Sequence, residues 1–343
     1  MRIVSKAPFR IGLAGGGTDV SPYSDQHGGA ILNATISLFA HTTIIPRTDG
    51  KIIIRSENTN EELVFDSAEK LPTNGGLDLQ VGVYNRIVKQ FTKEKLSFEL
   101  ITKMDVSSGS GLGTSSTLVV SVLGAFLKWL NISLDKYKIA QLACDIERVD
   151  LKMAGGKQDQ YAATFGGVNF MEFNKNNTVV VNPLSIKEEL LNELQGNLIL
   201  YYTETRRQSA KIIETQANNA KTKQEKPLQA MHLVKEQAFL MKEALLNEEL
   251  HKIGEILSTS WENKKQMADG ITNELIDDIY STAINAGATG GKISGAGGGG
   301  FMIFYAEESN RSNVLKSLEK FGGQAEGYEF CEEGLSSFLI DNG

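Results

Sequence analysis

Four short stretches hold the residues whose types and spacing suit chemistry. Arg10 precedes Ala14-Gly15-Gly16-Gly17-Thr18-Asp19, a triple glycine closed by two polar side chains. Such a turn either carries Thr18 and Asp19 toward a ligand or simply joins two strands. Val106-Ser107-Ser108-Gly109-Ser110-Gly111-Leu112-Gly113-Thr114-Ser115-Ser116-Thr117 sets three glycines at alternate positions before a hydroxyl cluster. Ala154-Gly155-Gly156-Lys157-Gln158-Asp159 offers a carboxylate in a glycine-flanked loop, with Glu147 a little before it. The run from Gly287 to Gly300, Gly297 included, has too many glycines for one turn. It reads as backbone pressed against a ligand or a neighbouring loop.

The hydroxyl cluster runs into Leu118–Leu127, whose only polar member is Ser121, so it should open a buried helix. Free N–H groups and the positive dipole end would make that opening a seat for a polyphosphate. A plain Gly/Ser turn starting a core helix fits this stretch equally well. The P-loop pattern fails, because Gly113 is followed by Thr114-Ser115 with no lysine. The dinucleotide fingerprint fails too, since Gly109, Gly111 and Gly113 give G-x-G-x-G. The histidines, His27, His41, His232 and His251, pair with no cysteine at zinc spacing, and no G-x-S-x-G elbow occurs. What remains suits phosphoryl transfer: a phosphate cradle, oxygen ligands for a divalent cation in Ser115 and Glu147, Asp159 as a base, and Arg10 for charge. Taken singly, each of these is weak, because a surface Glu or Asp is more often just solvated.

The elements that must position these groups are legible in outline. Arg2–Val4 and Phe9–Leu13 read as strand. Ala30–Pro46 is a longer strand, and Asp49-Gly50 before Lys51–Arg55 signals a hairpin. Leu79–Phe91 has helical spacing, and Leu96–Ile101 alternates as a strand leading to the second glycine stretch. Helices follow to about Asn131 and over Lys138–Val149. Strands are expected at 166–170, 179–184 and 198–202. The chain then turns helical, with a polar stretch over 206–225, an interruption at Pro227, and amphipathic segments at 228–246, 250–261 and 275–285. A strand at 301–305, a helix at 310–321 and a short strand at 325–329 close the pattern. A domain boundary is expected within 170–195.

The 343 residues favour two domains, since single cores stop growing near ~250–300 residues. With 41% hydrophobic and 22% charged residues, the chain can bury a sizeable core. A net charge of -7 argues against nucleic acid or an anionic membrane as partner. Two cysteines make no disulfide framework, and no apolar run reaches the ~18 residues of a membrane span. The N-terminus lacks a secretory h-region, so the expected location is the cytoplasm.

Three of the stretches together resemble the motifs of the GHMP kinases (galacto-, homoserine, mevalonate and phosphomevalonate kinases). Ala7-Pro8-Phe9-Arg10-Ile11-Gly12-Leu13-Ala14-Gly15-Gly16-Gly17-Thr18-Asp19 is similar to the first motif, Ser108–Thr117 to the second and Lys292–Phe304 to the third, in the family's order and spacing. The Ala-Gly-Gly-Gly-Thr-Asp form resembles the members acting on D-glycero-D-manno-heptose phosphate, and the fucokinase-like members. It departs from the Gly-Glu-His form of galactokinases, and mevalonate kinase is disfavoured as well.

The resemblance implies an α+β fold of two domains. Residues 1–180 would form an ATP-binding domain like ribosomal protein S5 domain 2, and residues 181–343 a ferredoxin-like domain, with the active site in the cleft. It implies ATP over Ser108, Gly109, Ser110, Gly111, Leu112, Gly113, Thr114, Ser115 and Ser116. Ser115 and Glu147 would hold Mg²⁺, Asp159 would be the catalytic base, and Arg10 would polarise the substrate hydroxyl. Thr18, Asp19, His27 and Gly297 would face the sugar, and Arg206 with Arg207 would grip a phosphate at its far end through forked bonds. The activity expected is ATP-dependent phosphorylation of the anomeric hydroxyl of a heptose 7-phosphate to the 1,7-bisphosphate. A kinase of L-fucose or another unphosphorylated sugar, and a non-catalytic sugar or nucleotide sensor of the same fold, are the alternatives. A homodimer is compatible with the reading.

Overall fold

The computed structural model describes residues 1–205 and 209–340. In chain order the first half runs β1 (Arg2–Ala14), α1 (Tyr23–His27), β2 (Gly29–Pro46), β3 (Lys51–Ser56), β4 (Glu61–Asp66), α2 (Asp78–Ile87), β5 (Phe98–Met104), α3 (Thr114–Trp129), α4 (Lys136–Asp145), α5 (Gln158–Phe165), β6 (Val168–Phe173), β7 (Val179–Pro183) and α6 (Glu188–Asn197). The second half runs β8 (Leu198–Tyr202), α7 (Ser209–Lys221), α8 (Glu225–Leu246), α9 (Ile253–Lys265), α10 (Glu274–Asn285), β9 (Gly290–Ile293), β10 (Phe301–Tyr305), α11 (Glu308–Leu318), β11 (Gln324–Glu326) and β12 (Ser336–Ile340).

Two sheets organise these elements. The larger has the order β12-β1-β2-β5-β3-β4, with β6 and β7 continuing from the far stretch of β2. The smaller has the order β11-β8-β10-β9 with every neighbouring pair antiparallel. With α7–α10 between its first two strands and α11 before its last, the smaller sheet follows the split βαβ plan of ferredoxin-like domains. The fold is therefore the expected α+β arrangement. The larger sheet also takes in β12, from the far end of the chain, and this strand was not foreseen.

The core follows from local pattern. Strand β5 buries alternate residues, Phe98, Leu100, Thr102 and Met104, as period-two pleating requires. Helix α3 is buried almost all round, because β1 and β2 cover one side and α2, α4 and α5 the others. Its Phe126 meets Phe98 edge-on at 5.2 Å, joining helix and sheet. Apolar residues of β8, β10, α8 and α9 share this cluster, and the other face of the smaller sheet packs a second one, with Ile199, Tyr201, Met302 and Phe304 against Trp261 and Ile279.

Three local readings need correction. Asp49-Gly50 does not close a hairpin between β2 and β3, because β5 lies between them and pairs with both. The hairpin that forms is β3–β4, with Asn60 in the left-handed region at the turn (φ 54°). Asp159 lies in the first turn of α5 rather than in a loop. Pro227 stands in the first turn of α8, where its missing N–H costs nothing, and so does not interrupt the helix. Among the described residues, no helix is long and apolar enough to cross a membrane.

Candidate active site

Motif one lies on β1 and the turn after it, motif two opens α3, and motif three links β9 to β10. All three converge on one pocket, to which α5, α7 and α9 also contribute. The glycines of motif two have positive φ: 81° at Gly109, 93° at Gly111 and 78° at Gly113. At Gly113 the reason is contact as well as torsion. A Cβ there would stand 2.9 Å from Cγ of Asp159, so the loop can pass the carboxylate only as glycine.

Motif three clamps motif two from behind. The Phe301 N–H donates to the Ser110 carbonyl at 2.7 Å, and a Cβ on Gly300 would lie 2.2 Å from that oxygen. Motif three also holds motif one, since the buried Lys292 ammonium donates to the carbonyls of Gly12 and Leu13 at 2.9 and 3.4 Å. Burial pushes the Lys292 pKa well down, helped by the nearby charges of Lys264 and Arg10.

Arg10 sits at the centre of these contacts, 3% exposed. Its Nε and Nη2 both reach Oδ1 of Asp159, at 2.7 and 2.6 Å, while Nη1 donates to the Gly111 carbonyl at 2.7 Å. Asp159 is carried by a helix whose N-terminus is capped from a distance. Oδ2 of Asp19 accepts from the N–H groups of Lys157 (2.7 Å) and Gln158 (3.0 Å). Asp19 therefore fixes the helix that bears Asp159, and it also lines the pocket.

Glu147 is fully buried, within a π-turn over Ile146–Asp150 that closes with Leu151 N–H on Ile146 O at 3.0 Å. It accepts from Oγ of Ser116 at 3.1 Å and from Nε2 of Gln160. Burial raises its pKa, with Arg148, whose Nη1 is 3.9 Å away, acting in the opposite sense. Ser115, one residue before the hydroxyl that Glu147 binds, lines the pocket beside it.

Of the residues expected at the site, the pocket gathers Arg10, Asp19, Gly109, Gly111, Gly113, Thr114, Ser115, Ser116, Glu147 and Asp159. Thr18 is not available to a sugar. It is fully buried, with Oγ1 2.9 Å from Gly15 O and 3.0 Å from Ala30 O, and it accepts from Ala30 N–H at 3.1 Å, so it locks the turn. His27 lies outside the pocket, edge-on to His232 at 4.9 Å and against Tyr23. Gly297 is pressed on Ile271, where a Cβ would come within 2.8 Å, and Gly295 and Ala296 face the pocket instead. Leu112 is buried in the core and contributes its carbonyl to Arg10 N–H at 3.3 Å. Ser110 is buried against motif three, and Ser108 is exposed outside the pocket. Arg206 and Arg207 lie outside the described residues.

Sequence reasoning missed Lys264, Gln158 and Gln216. Lys264 is 2% exposed on α9 and donates to the Gly295 carbonyl. It continues the buried stripe Ile253, Ile256, Leu257, Ser260 and Trp261, and a lysine in that register is the signal that could have found it.

The N-terminal domain model of the GHMP kinases matches residues 79–167, and their C-terminal model matches residues 241–324. A D-glycero-alpha-D-manno-heptose 7-phosphate kinase of Campylobacter jejuni is 49% identical over 338 residues, 98% of this chain and 99% of that protein. The chain belongs to the GHMP kinase family. Among solved structures, a D-glycero-D-manno-heptose 1-phosphate kinase from Bacteroides thetaiotaomicron is 40% identical with a TM-score of 0.84, over 99% of this chain and all of that one. A putative sugar kinase from Campylobacter jejuni is 47% identical with a TM-score of 0.80, covering 99% and 98%. As a GHMP kinase the chain is an ATP-dependent phosphotransferase, and the lysine-free loop of motif two belongs to that class.

Proposed function

We propose that this kinase phosphorylates the anomeric hydroxyl of D-glycero-D-manno-heptose 7-phosphate in the cytoplasm, giving the 1,7-bisphosphate for nucleotide-activated heptose synthesis. The observation that carries the chemistry is the Arg10–Asp159 pair at the meeting of the three motifs. With Oδ1 of Asp159 held twice by Arg10, Oδ2 is left to accept the proton of the attacking hydroxyl. Arg10 is in reach to polarise that hydroxyl, and the backbone of Gly109–Ser116 cradles the nucleotide phosphates. The relatives support a heptose phosphate as acceptor, and the one from Campylobacter jejuni, named a heptose 7-phosphate kinase, supports the 7-phosphate.

A magnesium ion fits the residues present. Ser115 and the buried Glu147 line one pocket, and among the described residues the cation paired with Glu147 is Arg148, 3.9 Å away. One hydroxyl and one carboxylate are what Mg²⁺ takes from protein when phosphates and water fill its other positions. Bound there, it would neutralise charge on the nucleotide phosphates. Arg206 and Arg207 remain the proposed grip on the far phosphate. Ser209 and Ala210, just after them, line the pocket.

The test is acceptor-dependent ADP release over heptose 7-phosphate, heptose 1-phosphate, free heptose, L-fucose and galactose. The reading expects heptose 7-phosphate to give the highest kcat/KM, and Arg206→Ala to raise KM for that acceptor by about ten-fold or more. Preference for an unphosphorylated sugar, unchanged by Arg206→Ala, would overturn it.

A further inference from the structure

Three polar side chains from three separate helices close over Gly16 and Gly17, beside the catalytic pair. They are Gln158 on α5, Gln216 on α7 and Lys264 on α9, and all three line the pocket. A Cβ built on Gly16 would lie 3.6 Å from Nζ of Lys264 and 3.9 Å from Nε2 of Gln158. One built on Gly17 would lie 3.3 Å from Oε1 of Gln216. All three residues are more than nine-tenths buried, at 8%, 3% and 2% exposure respectively.

Two of them have unmet hydrogen-bonding capacity. Among the described residues, Oε1 of Gln158 and Nε2 of Gln216 are buried without a partner. A buried polar atom left unpaired costs about 1–3 kcal/mol, so a fold that keeps two of them in its reaction pocket holds them for a ligand. The amide ends that face the glycines are Nε2 of Gln158 and Oε1 of Gln216, while the open Oε1 of Gln158 lies 4.0 Å from the Cβ position of Gly12. The two amides thus bring donors and acceptors to one wall, as a hydroxyl group that both donates and accepts requires. The Lys264 ammonium, already anchored on the Gly295 carbonyl, adds a fixed cation to the same wall.

We infer that Gln158, Gln216 and Lys264 form an acceptor subsite over Gly16–Gly17 that reads ring hydroxyls next to the one phosphorylated, and so selects a polyhydroxylated sugar. The inference rests on the sugar-kinase reading above. Gly16 is part of the subsite by what it lacks. Its backbone is not in the left-handed region, and both distances to its Cβ position are ordinary contacts, so a methyl group fits the fold but fills the space. Glutamine here supplies specificity rather than charge. A site that hydrogen-bonds a hydroxyl strongly rejects the analogue lacking it.

The experiment is steady-state ADP release on the full chain, with heptose 7-phosphate and its ring-deoxy analogues as acceptors and thermal melting as the folding control. Gln158→Leu, Gln216→Leu and Gly16→Ala should each raise the acceptor KM by about ten-fold while the ATP KM stays within about two-fold. A deoxy analogue that the parent enzyme rejects should lose that penalty in one of the glutamine variants, a change that loss of packing would not produce. Lys264→Met should likewise raise acceptor KM more than ATP KM. If the parent enzyme turns over heptose 7-phosphate while Gln158→Leu, Gln216→Leu and Gly16→Ala all keep its acceptor KM within about two-fold, the subsite is refuted and the function stands. If no sugar supports ADP release by the parent, the function and the subsite fall together.

Discussion

Arg10 spends two nitrogens on one oxygen of Asp159, with Nε at 2.7 Å and Nη2 at 2.6 Å from Oδ1. The fork leaves the other carboxylate oxygen free of Arg10, on a side chain that lines the pocket. Arg10 also takes the Gly111 carbonyl at 2.7 Å, so one side chain sets the carboxylate relative to the phosphate loop.

Asp159→Asn keeps the shape and an oxygen for Arg10 but cannot take a proton. Its kcat should fall by about 10²–10⁴, the range for losing a general base, with the ATP KM within a few-fold. Stopped assays of ADP release measure both. Turnover at the parent rate would remove Asp159 from the base role.

Arg10→Lys retains charge and loses the fork. A single ammonium cannot hold Asp159 through two nitrogens and also reach Gly111 O, so kcat should drop by about 10–100-fold. The melting temperature should fall as well, because Gly111 O would lose a charge-assisted bond from a buried donor.

Gly113→Ala places a methyl group 2.9 Å from Cγ of Asp159 at a residue with φ of 78°. Denaturant titration should show a loss of about 1–3 kcal/mol. Catalysis should fall further than nucleotide affinity, since the atom displaced belongs to Asp159.

Glu147→Gln keeps an oxygen for Ser116 and removes the charge from a buried position. The Mg²⁺ concentration for half-maximal rate should rise by about ten-fold or more. The melting temperature of the nucleotide-free protein should change little, because relief of the buried charge is set against the bond lost from Nε2 of Gln160.

Lys292 gives a pH dependence of definite sign. Its folded-state pKa is depressed below 10.5, so its contribution is fully present above that value and is lost as pH falls toward the folded pKa. The stability of the parent relative to Lys292→Met should therefore increase as pH rises from about neutral to about pH 10. Parallel denaturant curves at several pH values test it, and a flat difference would contradict it.

Much of the site was legible because its demands are local. Gly109, Gly111 and Gly113 mark positive φ, and Arg10 and Asp159 are charged residues beside glycine turns. The family pattern joined these stretches, which are far apart in the chain. What escaped depends on tertiary neighbours. Nothing near Thr18 in sequence says that Ala30 will claim its hydroxyl, and nothing near Lys51 says that β5 will slide between β2 and β3. Gln158 and Gln216 are ordinary helix residues until α5 and α7 bring them over Gly16–Gly17. From its motif Asp19 reads as a sugar contact, and its cap on the helix of Asp159 shows only once residues 19 and 157 are neighbours.

Strand β1, which carries Arg10, is bordered on its outer side by β12, whose Ser336–Ile340 pair with Lys6–Arg2. On the ribosome, β1 is made well before β12, with every other described strand and helix between them. The strand bearing Arg10 must therefore wait with an open edge while all of those elements are synthesised. Until β12 arrives, that edge is a place where a nascent chain could pair wrongly or recruit a chaperone.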